Sequence, residues 1–194
     1  EEINDPEFSV QSRAGQVHIH RISAQKSLAI DDSITIFDNE SSLNNLFVGD
    51  ASPNAKKKYY RFNSEPATYL LQDYNRALSL LFSESNKELQ KAHEDDMLAI
   101  KENRPRPIPT KTVVEKATEI WNELLPHRKI DLSGNGVHIN YDDNRYHGKE
   151  MSDGERVMLY MICQALVLRS NSLMIIDEPE LHIHKAIVEK LWTR

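Results

Sequence analysis

The fold class is decided by Leu173-Met174-Ile175-Ile176-Asp177-Glu178-Pro179, in which four apolar residues are followed by two acids and a proline. A short apolar run of this kind is typical of a central parallel strand, whose carboxyl end delivers polar side chains to a cleft. Elsewhere in the chain, apolar periodicity indicates both further strands and helices. The sequence therefore predicts a mixed α/β protein built around this strand.

The two acids at the end of the strand suit chemistry with a divalent metal ion. Of Asp177 and Glu178, one carboxylate can hold a magnesium-bound water and the other can polarise an attacking water. A purely structural interpretation stays open, in which Asp177 only caps a helix that begins after Pro179. The acidic pair alone does not decide between the two interpretations.

A capped helix start lies upstream, in Met151-Ser152-Asp153-Gly154-Glu155-Arg156. Ser152 and Glu155 have capping-box spacing, so we expect Ser152 to begin a helix and to lie among free backbone N–H groups. A helix N-terminus beside a glycine is a natural anion site, although most capped helix starts bind nothing. The residues from Val157 to Leu168 are apolar on nearly every side, which predicts a buried helix.

Taken together, the two segments resemble the signature and Walker B motifs of ABC-type ATPases. Met151 to Glu155 is similar to the Leu-Ser-Gly-Gly-Gln signature, with Asp153 in place of the third-position glycine. Asp177-Glu178 resembles the Walker B pair. The continuation from Glu178 to His184 is close to the Asp-Glu-Pro-Glu-x-His-x-His run of the RecF/SMC/OLD-like group, with Lys185 where many relatives have proline.

This resemblance implies an ABC-ATPase-like core with a β-rich N-terminal lobe and a helical insertion, with ATP and Mg²⁺ as cofactors. Asp177 would serve the metal ion and Glu178 would be the general base. The residues implied to lie at the nucleotide are Ser152, Gly154, Glu155, Gln25, His182 and His184. Of these, the two histidines would lie in the D-loop.

Gln25 enters this set by its position in the chain. Ser23-Ala24-Gln25-Lys26 directly follows a strand pattern, where a Q-loop would fall in the family. By the resemblance, Gln25 would sense magnesium and the γ-phosphate. The alternative is a plain surface glutamine.

Composition and periodicity divide the chain into four parts. We expect a β-rich lobe of the core at 1–38, a loop or linker at 39–65, a helical insertion at 66–127, and the signature helix with the Walker B strand at 128–194. In the lobe, period-two alternation predicts strands as far as Phe37. In the last part, a hairpin is predicted to turn at 134–136.

The helical insertion is expected to contain two helices. Apolar residues at three- and four-residue spacing predict the first helix from about Glu65 to Glu102. The prolines within 105–109 must break it. Thr112 and Glu115 have capping-box spacing and predict the start of the second helix.

Net charge and cysteine content limit the kinds of partner and the cellular compartment that we expect for this protein. The net charge of −6 argues against a broadly basic nucleic-acid-binding surface, though not against a local one. The one strong basic–aromatic run, from Lys56 to Phe62, would suit a phosphate backbone and a stacked base, or be a solvated loop. The single cysteine, Cys163, excludes an intramolecular disulfide and favours a reducing compartment. We expect a cytoplasmic protein that does not enter a membrane.

No Gly-x-x-x-x-Gly-Lys-Ser/Thr occurs in the 194 residues, so the chain lacks the loop that cradles nucleotide phosphates. We expect it to be a piece of a longer ATPase, with a degenerate, non-hydrolysing relative as the competing explanation. The expected partners are a second copy in a head-to-tail ATP sandwich, a nuclease effector in antiphage defence, or DNA in DNA maintenance. The alternative function is an inactive scaffold that binds a protein partner through the helical insertion.

Overall fold

The computed structural model describes residues 9–12, 15–52, 55–65, 68–181, 183, 187, 189 and 190. The strands are β1 (Ser9–Ser12), β2 (Gly15–Ile22), β3 (Lys129–Asp131), β4 (His138–Tyr141), β5 (Asn144–His147) and β6 (Ser172–Ile176). The helices are α1 (Asn39–Phe47), α2 (Lys57–Tyr60), α3 (Tyr74–Lys101), α4 (Val113–Leu124) and α5 (Asp153–Leu166). The α/β class predicted from the sequence is confirmed.

The strands form two three-stranded sheets. In the first, β2 pairs antiparallel with β1 on one side and parallel with β6 on the other, with Ile22 opposite Ile176. The second is an antiparallel meander in the order β3-β4-β5. Its first two strands are the predicted hairpin, which is confirmed, and β5 extends it beyond the prediction.

Helix α5 lies at the centre of the core, as its apolar sequence predicts. Every residue from Val157 to Gln164 is buried. The same apolar cluster takes in the first half of α3, one face of α4, and residues of both sheets. The predicted helical insertion and the predicted core therefore share one hydrophobic interior, and only the distal half of α3 extends into solvent, with Ala99 as its buried member.

Residues 28–37 differ from the prediction. The alternation of apolar residues there predicts a strand, but the segment forms no β-ladder. Its buried apolar side chains are Ile30 and Ile34, and the Ile34 N–H donates to the Asn135 carbonyl at 2.7 Å. Two side chains of α3 also hold its backbone, since the Asp31 N–H donates to Asn75 and the Thr35 carbonyl accepts from Ser79. The segment is thus held by the hairpin turn, by α3 and by apolar burial, and not by a neighbouring strand.

Residues 39–65, predicted as a loop or linker, contain two helices. The Asp38 carboxylate accepts from the Ser41 N–H at 3.0 Å, so Asp38 is the N-cap of α1. This cap was not recognised among the many polar residues of the segment. After α2, the left-handed residues Asn63 and Ser64 turn the chain back. The insertion also begins later than expected, since α3 starts at Tyr74.

Both predicted capping boxes are confirmed. Thr112 accepts from the Glu115 N–H while the Glu115 carboxylate accepts from the Thr112 N–H, and this pair begins α4. Ser152 and Glu155 make the same reciprocal pair at the start of α5. In each helix the cap satisfies N–H groups that have no partner within the helix.

Candidate functional site

The parallel pairing of β2 with β6 builds the candidate site. Because parallel strands end at the same edge of a sheet, the loop after Ile22 and the acids after Ile176 lie side by side. The Asp177 N–H donates to the Ile22 carbonyl at 3.0 Å, which continues the ladder one step past β6. The predicted loop residue Gln25 therefore lies at the same sheet edge as Asp177 and Glu178.

Both predicted carboxylates are exposed at this edge. Glu178 has a left-handed backbone, with φ of 48°, a conformation that non-glycine residues seldom adopt. A left-handed residue directly after a strand turns the chain sharply, so Glu178 leaves the line of β6. Strained backbone of this kind clusters at functional sites, where surrounding structure maintains it.

Two basic side chains from β2 and its following loop face the acids. The Arg21 guanidinium lies 3.8 Å from the Asp177 carboxylate, an ion pair that is partly solvated. Burial lowers the pKa of the Lys26 ammonium, and the negative charges of Asp73, Asp177 and Glu178 act in the opposite direction. The residue types near Asp177 in the sequence do not indicate Arg21 or Lys26. Both basic side chains reach the acids only through the pairing of β2 with β6.

The loop that carries Gln25 is held by the segment just before α3. The Leu71 N–H donates to the Gln25 carbonyl at 3.1 Å, and the Ser27 N–H donates to the Leu71 carbonyl at 2.7 Å. The Gln25 side chain remains exposed. The backbone at Gln25 is thus held by hydrogen bonds, and its amide side chain is exposed to solvent.

The signature segment is connected to this loop through the same residues. The Tyr74 hydroxyl donates to the Arg156 carbonyl at 2.7 Å, in the first turn of α5. The Tyr160 hydroxyl donates to the Asp73 carboxylate at 2.8 Å. Residues 71–74 therefore contact the Gln25 loop on one side and the start of the signature helix on the other.

Within the signature segment, Ser152 and Gly154 differ from Glu155 in exposure. Ser152 is exposed and Gly154 is half-buried, whereas Glu155 is buried. Burial alone would raise the pKa of the Glu155 carboxyl, but hydrogen bonds from Ser152, Arg128 and Tyr146 hold that pKa below its usual value. The carboxylate of Glu155 is thus occupied within the protein, and the hydroxyl of the exposed Ser152 is one of its donors, at 2.7 Å.

A buried polar network behind the site was not foreseen from the sequence. Asp73 accepts from Arg61 at 3.0 Å and from Tyr160, and Gln164 of α5 lies 2.7 Å from the His20 ring. Burial, and secondarily the Arg61 charge, lowers the pKa of His20 to about 3. The network joins β2 and α5 through Arg61 and Asp73. No local signal identifies it, since its members are far apart in sequence.

Of the predicted site residues, the structure brings Gln25, Asp177 and Glu178 to one sheet edge. Ser152, Gly154 and Glu155 lie on α5, which is connected to that edge through residues 71–74. His182 and His184 lie outside the described residues. The chain gives no match to protein-family models, to characterised proteins or to solved structures.

Two features of the described residues bear on the predicted cofactors and partners. These residues hold no cluster of three or more histidine, cysteine or acidic side chains placed to bind a metal ion. Among the helices in that part of the chain, none has the length and apolar character needed to cross a membrane.

Proposed function

We propose that this chain is the signature and Walker B part of an ABC-type ATPase that binds and hydrolyses ATP with Mg²⁺ in a head-to-tail dimer. The observation that carries the proposal is the parallel β2–β6 pairing, which places the Gln25 loop beside Asp177 and Glu178. Adjacent parallel strands that deliver an amide and two carboxylates to one edge suit a nucleotide cleft.

The two carboxylates that follow β6 suit a magnesium–nucleotide complex. Mg²⁺ commonly takes one or two carboxylates and completes its coordination with water and substrate phosphates. Asp177 would hold the ion, which would supply charge neutralisation at the phosphates.

Glu178 is proposed as the general base for the attacking water. Its carboxylate is exposed, and its left-handed backbone turns the chain away from the line of β6. Arg21 and Lys26 would offset the negative charge that gathers when a polyphosphate approaches two acids. Gln25 would orient the water or the γ-phosphate through its exposed amide.

Ser152 and Gly154 are proposed to act on the nucleotide of the other copy. They lie at the N-terminus of α5, where backbone N–H groups and the helix dipole favour an anion. Glu155 would position this segment, because its carboxylate already accepts from Ser152, Arg128 and Tyr146. The composite site would make dimerisation depend on ATP.

The P-loop that this mechanism requires would be carried by a strand beside β6. In the described part of the chain, β6 pairs with β2 on one edge only, and Leu173 and Ile175 are 51% and 46% exposed on one face. Strands of parallel sheets are normally buried on both faces. The exposed face of β6 would suit a larger core, in which further strands or helices cover this strand.

The test is the mass in solution of the full protein carrying Glu178→Gln, with and without Mg-ATP. We expect bound ATP, a doubled mass and nearly abolished hydrolysis, because the amide keeps the shape of the site but cannot take a proton. Glu94→Gln, at an exposed acid on α3 outside the proposed site, is the control and should hydrolyse as the wild type does. Undiminished turnover in Glu178→Gln would refute the assignment of the base. An unchanged mass without bound ATP would favour the scaffold function.

The biological role we propose is a switch in antiphage defence or in DNA maintenance. A head-to-tail dimer that closes on ATP and opens on hydrolysis changes shape with the nucleotide state. DNA binding that weakens steeply with salt would favour the maintenance role. Activation of a nuclease effector by the ATP-bound dimer would favour defence.

A further inference from the structure

Helices α4 and α5 begin with the same kind of capping box, but the two boxes differ in burial. In the box of α4, Thr112 is buried and Glu115 is exposed. In the box of α5 the order is reversed, since Ser152 is exposed and Glu155 is only 5% exposed. A glutamate does not need to be buried in order to cap a helix. The position of Glu155 therefore calls for a further explanation.

Both oxygens of the Glu155 carboxylate are engaged in hydrogen bonds. Oε1 accepts from the Arg128 guanidinium at 2.5 Å and from the Tyr146 hydroxyl at 2.9 Å. Oε2 accepts from the Ser152 N–H at 2.8 Å and from the Ser152 hydroxyl at 2.7 Å. A carboxylate offers about four acceptor sites. The carboxylate of Glu155 is thus fixed through one oxygen by Arg128 and Tyr146, and holds Ser152 through the other.

The Ser152 hydroxyl donates its one proton to this carboxylate. Although burial acts to raise the pKa of the Glu155 carboxyl, hydrogen bonds from Ser152 and Arg128 hold that pKa below its usual value, so the acceptor is ionised at neutral pH. A hydrogen bond to an ionised acceptor is stronger than one between neutral groups. Ser152 therefore cannot donate to a phosphate until its bond to Glu155 is broken.

We infer that Glu155 is a latch on the signature serine, which holds the Ser152 hydroxyl in the free protein and must release it before two copies close on ATP. The inference rests on the proposed function, in which Ser152 acts on the nucleotide of the other copy. Glu155 acts through Ser152, so it is a positioning residue. Arg128 and Tyr146 support the latch, because they fix the carboxylate from its opposite oxygen.

The test is the dissociation constant of the Mg-ATP dimer, obtained from the mass in solution over a range of protein concentrations. The full protein carrying Glu178→Gln is the common background, because that change is expected to retain bound ATP. Adding Glu155→Gln should tighten the dimer roughly tenfold, since a hydrogen bond to a charged group is about one decade stronger than a neutral one. A purely structural role for Glu155 predicts the opposite result, a weaker dimer.

Matched variants separate the latch from helix capping and from loss of fold. Glu115→Gln makes the same exchange in the box of α4 and should leave the dimer constant unchanged. Glu155→Asp keeps the charge beside Arg128, but its side chain is one methylene shorter and cannot reach Ser152. It should also tighten the dimer, so the test holds even where Glu155→Gln fails to fold. Thermal denaturation shows which variants are folded.

A second background separates the latch from the simple removal of a negative charge near the phosphates. In a protein that also carries Ser152→Ala, Glu155→Gln should no longer tighten the dimer, because there is no hydroxyl to release. This non-additivity is the signature of two groups that act through each other. Equal tightening with and without the hydroxyl would assign the effect to charge alone and overturn the latch.

Failure of the latch and failure of the proposed function give different results. A Glu178→Gln protein that doubles its mass with Mg-ATP, but gains nothing from Glu155→Gln or Glu155→Asp in folded form, would overturn the latch and leave the proposed function in place. A Glu178→Gln protein whose mass does not change with Mg-ATP would refute the proposed function, and the latch with it.

Discussion

The Asp73 carboxylate lies 3.0 Å from the Arg61 guanidinium in a pair whose side chains are 1% and 0% exposed. Removing two charges from water has a large desolvation cost. The attraction between the two charges offsets that cost only when further hydrogen bonds surround the pair. Here Tyr160 donates to Asp73, and Arg61 donates to the Arg21 carbonyl. The pair therefore depends on groups from β2 and α5 at once.

Asp73→Ala is expected to destabilise the protein strongly. The variant leaves the buried Arg61 charge without its carboxylate, a change that typically costs about 3–5 kcal/mol of unfolding free energy. The measurement is urea denaturation followed by circular dichroism. Asp96→Ala, which breaks the exposed pair with Arg106, is the control and should cost no more than about 1 kcal/mol. Similar losses in both variants would contradict the special role of the buried pair.

Stability should fall on mild acidification because of His20. Burial lowers its folded pKa to about 3, against 6.5 in the unfolded chain, so the unfolded state takes up the proton first. The stabilisation is complete above pH 6.5 and is lost as pH falls toward 3, at about 1.4 kcal/mol per pH unit. Arg61, Asp73 and Gln164 face the His20 ring. The negative charge of Asp73 makes the decrease in the pKa of His20 smaller.

His20→Gln removes this titration while keeping a polar group beside Gln164. Between about pH 7 and pH 5, we expect the wild type to lose about 2 kcal/mol more unfolding free energy than the variant. Chemical denaturation across that pH range measures the difference. Parallel pH profiles for the two proteins would show that His20 titrates freely in the folded state.

Ser152→Ala and Thr112→Ala form a matched pair of cap variants. Each removes the hydroxyl of a capping box, so each should lower the unfolding free energy by about 1 kcal/mol. Under the proposed function, only Ser152→Ala should also weaken ATP-dependent dimerisation of the full protein. The readouts are thermal denaturation and mass in solution with Mg-ATP. Equal dimerisation by both variants would restrict Ser152 to a capping role.

Gly49→Ala should be far more harmful than Gly134→Ala, although both glycines are left-handed. A Cβ at Gly49 would lie 2.6 Å from the backbone of Arg61 and Tyr60, whereas a Cβ at Gly134 meets nothing within 4 Å. Backbone strain alone costs about 1–2 kcal/mol, and overpacking adds about 1–3 kcal/mol at Gly49. Denaturation midpoints of the two variants measure the difference, and equal midpoints would contradict the close approach of α2.

Local signals in the sequence predicted the elements that local chemistry determines. The caps at Thr112 and Ser152, the hairpin at 134–136 and the buried helix α5 depend on residues within a few positions of one another. The strand at 173–176 was recognisable from its apolar run. The edge that it shares with Gln25 was implied only by resemblance to a family, because strand pairing joins residues distant in sequence.

The misassigned segments are those whose structure depends on distant partners. Residues 28–37 alternate like a strand, but their backbone hydrogen bonds go to the hairpin turn and to side chains of α3. The polar composition of 39–65 suggested a loop, yet burial of Leu46 and Phe62 holds two helices there. Arg21 and Lys26 lie near Asp177 and Glu178 only because β2 pairs with β6, so no local pattern around Asp177 predicts them.

The buried network also constrains how this protein can change over evolutionary time. A lineage that loses the Asp73 carboxylate retains a buried guanidinium at Arg61, so the first substitution is deleterious until the second occurs. Positions 61 and 73 should therefore covary across related sequences, with Tyr160 following them because its hydroxyl would lose its acceptor. Lineages are expected to keep all three polar residues or to replace them together by apolar ones.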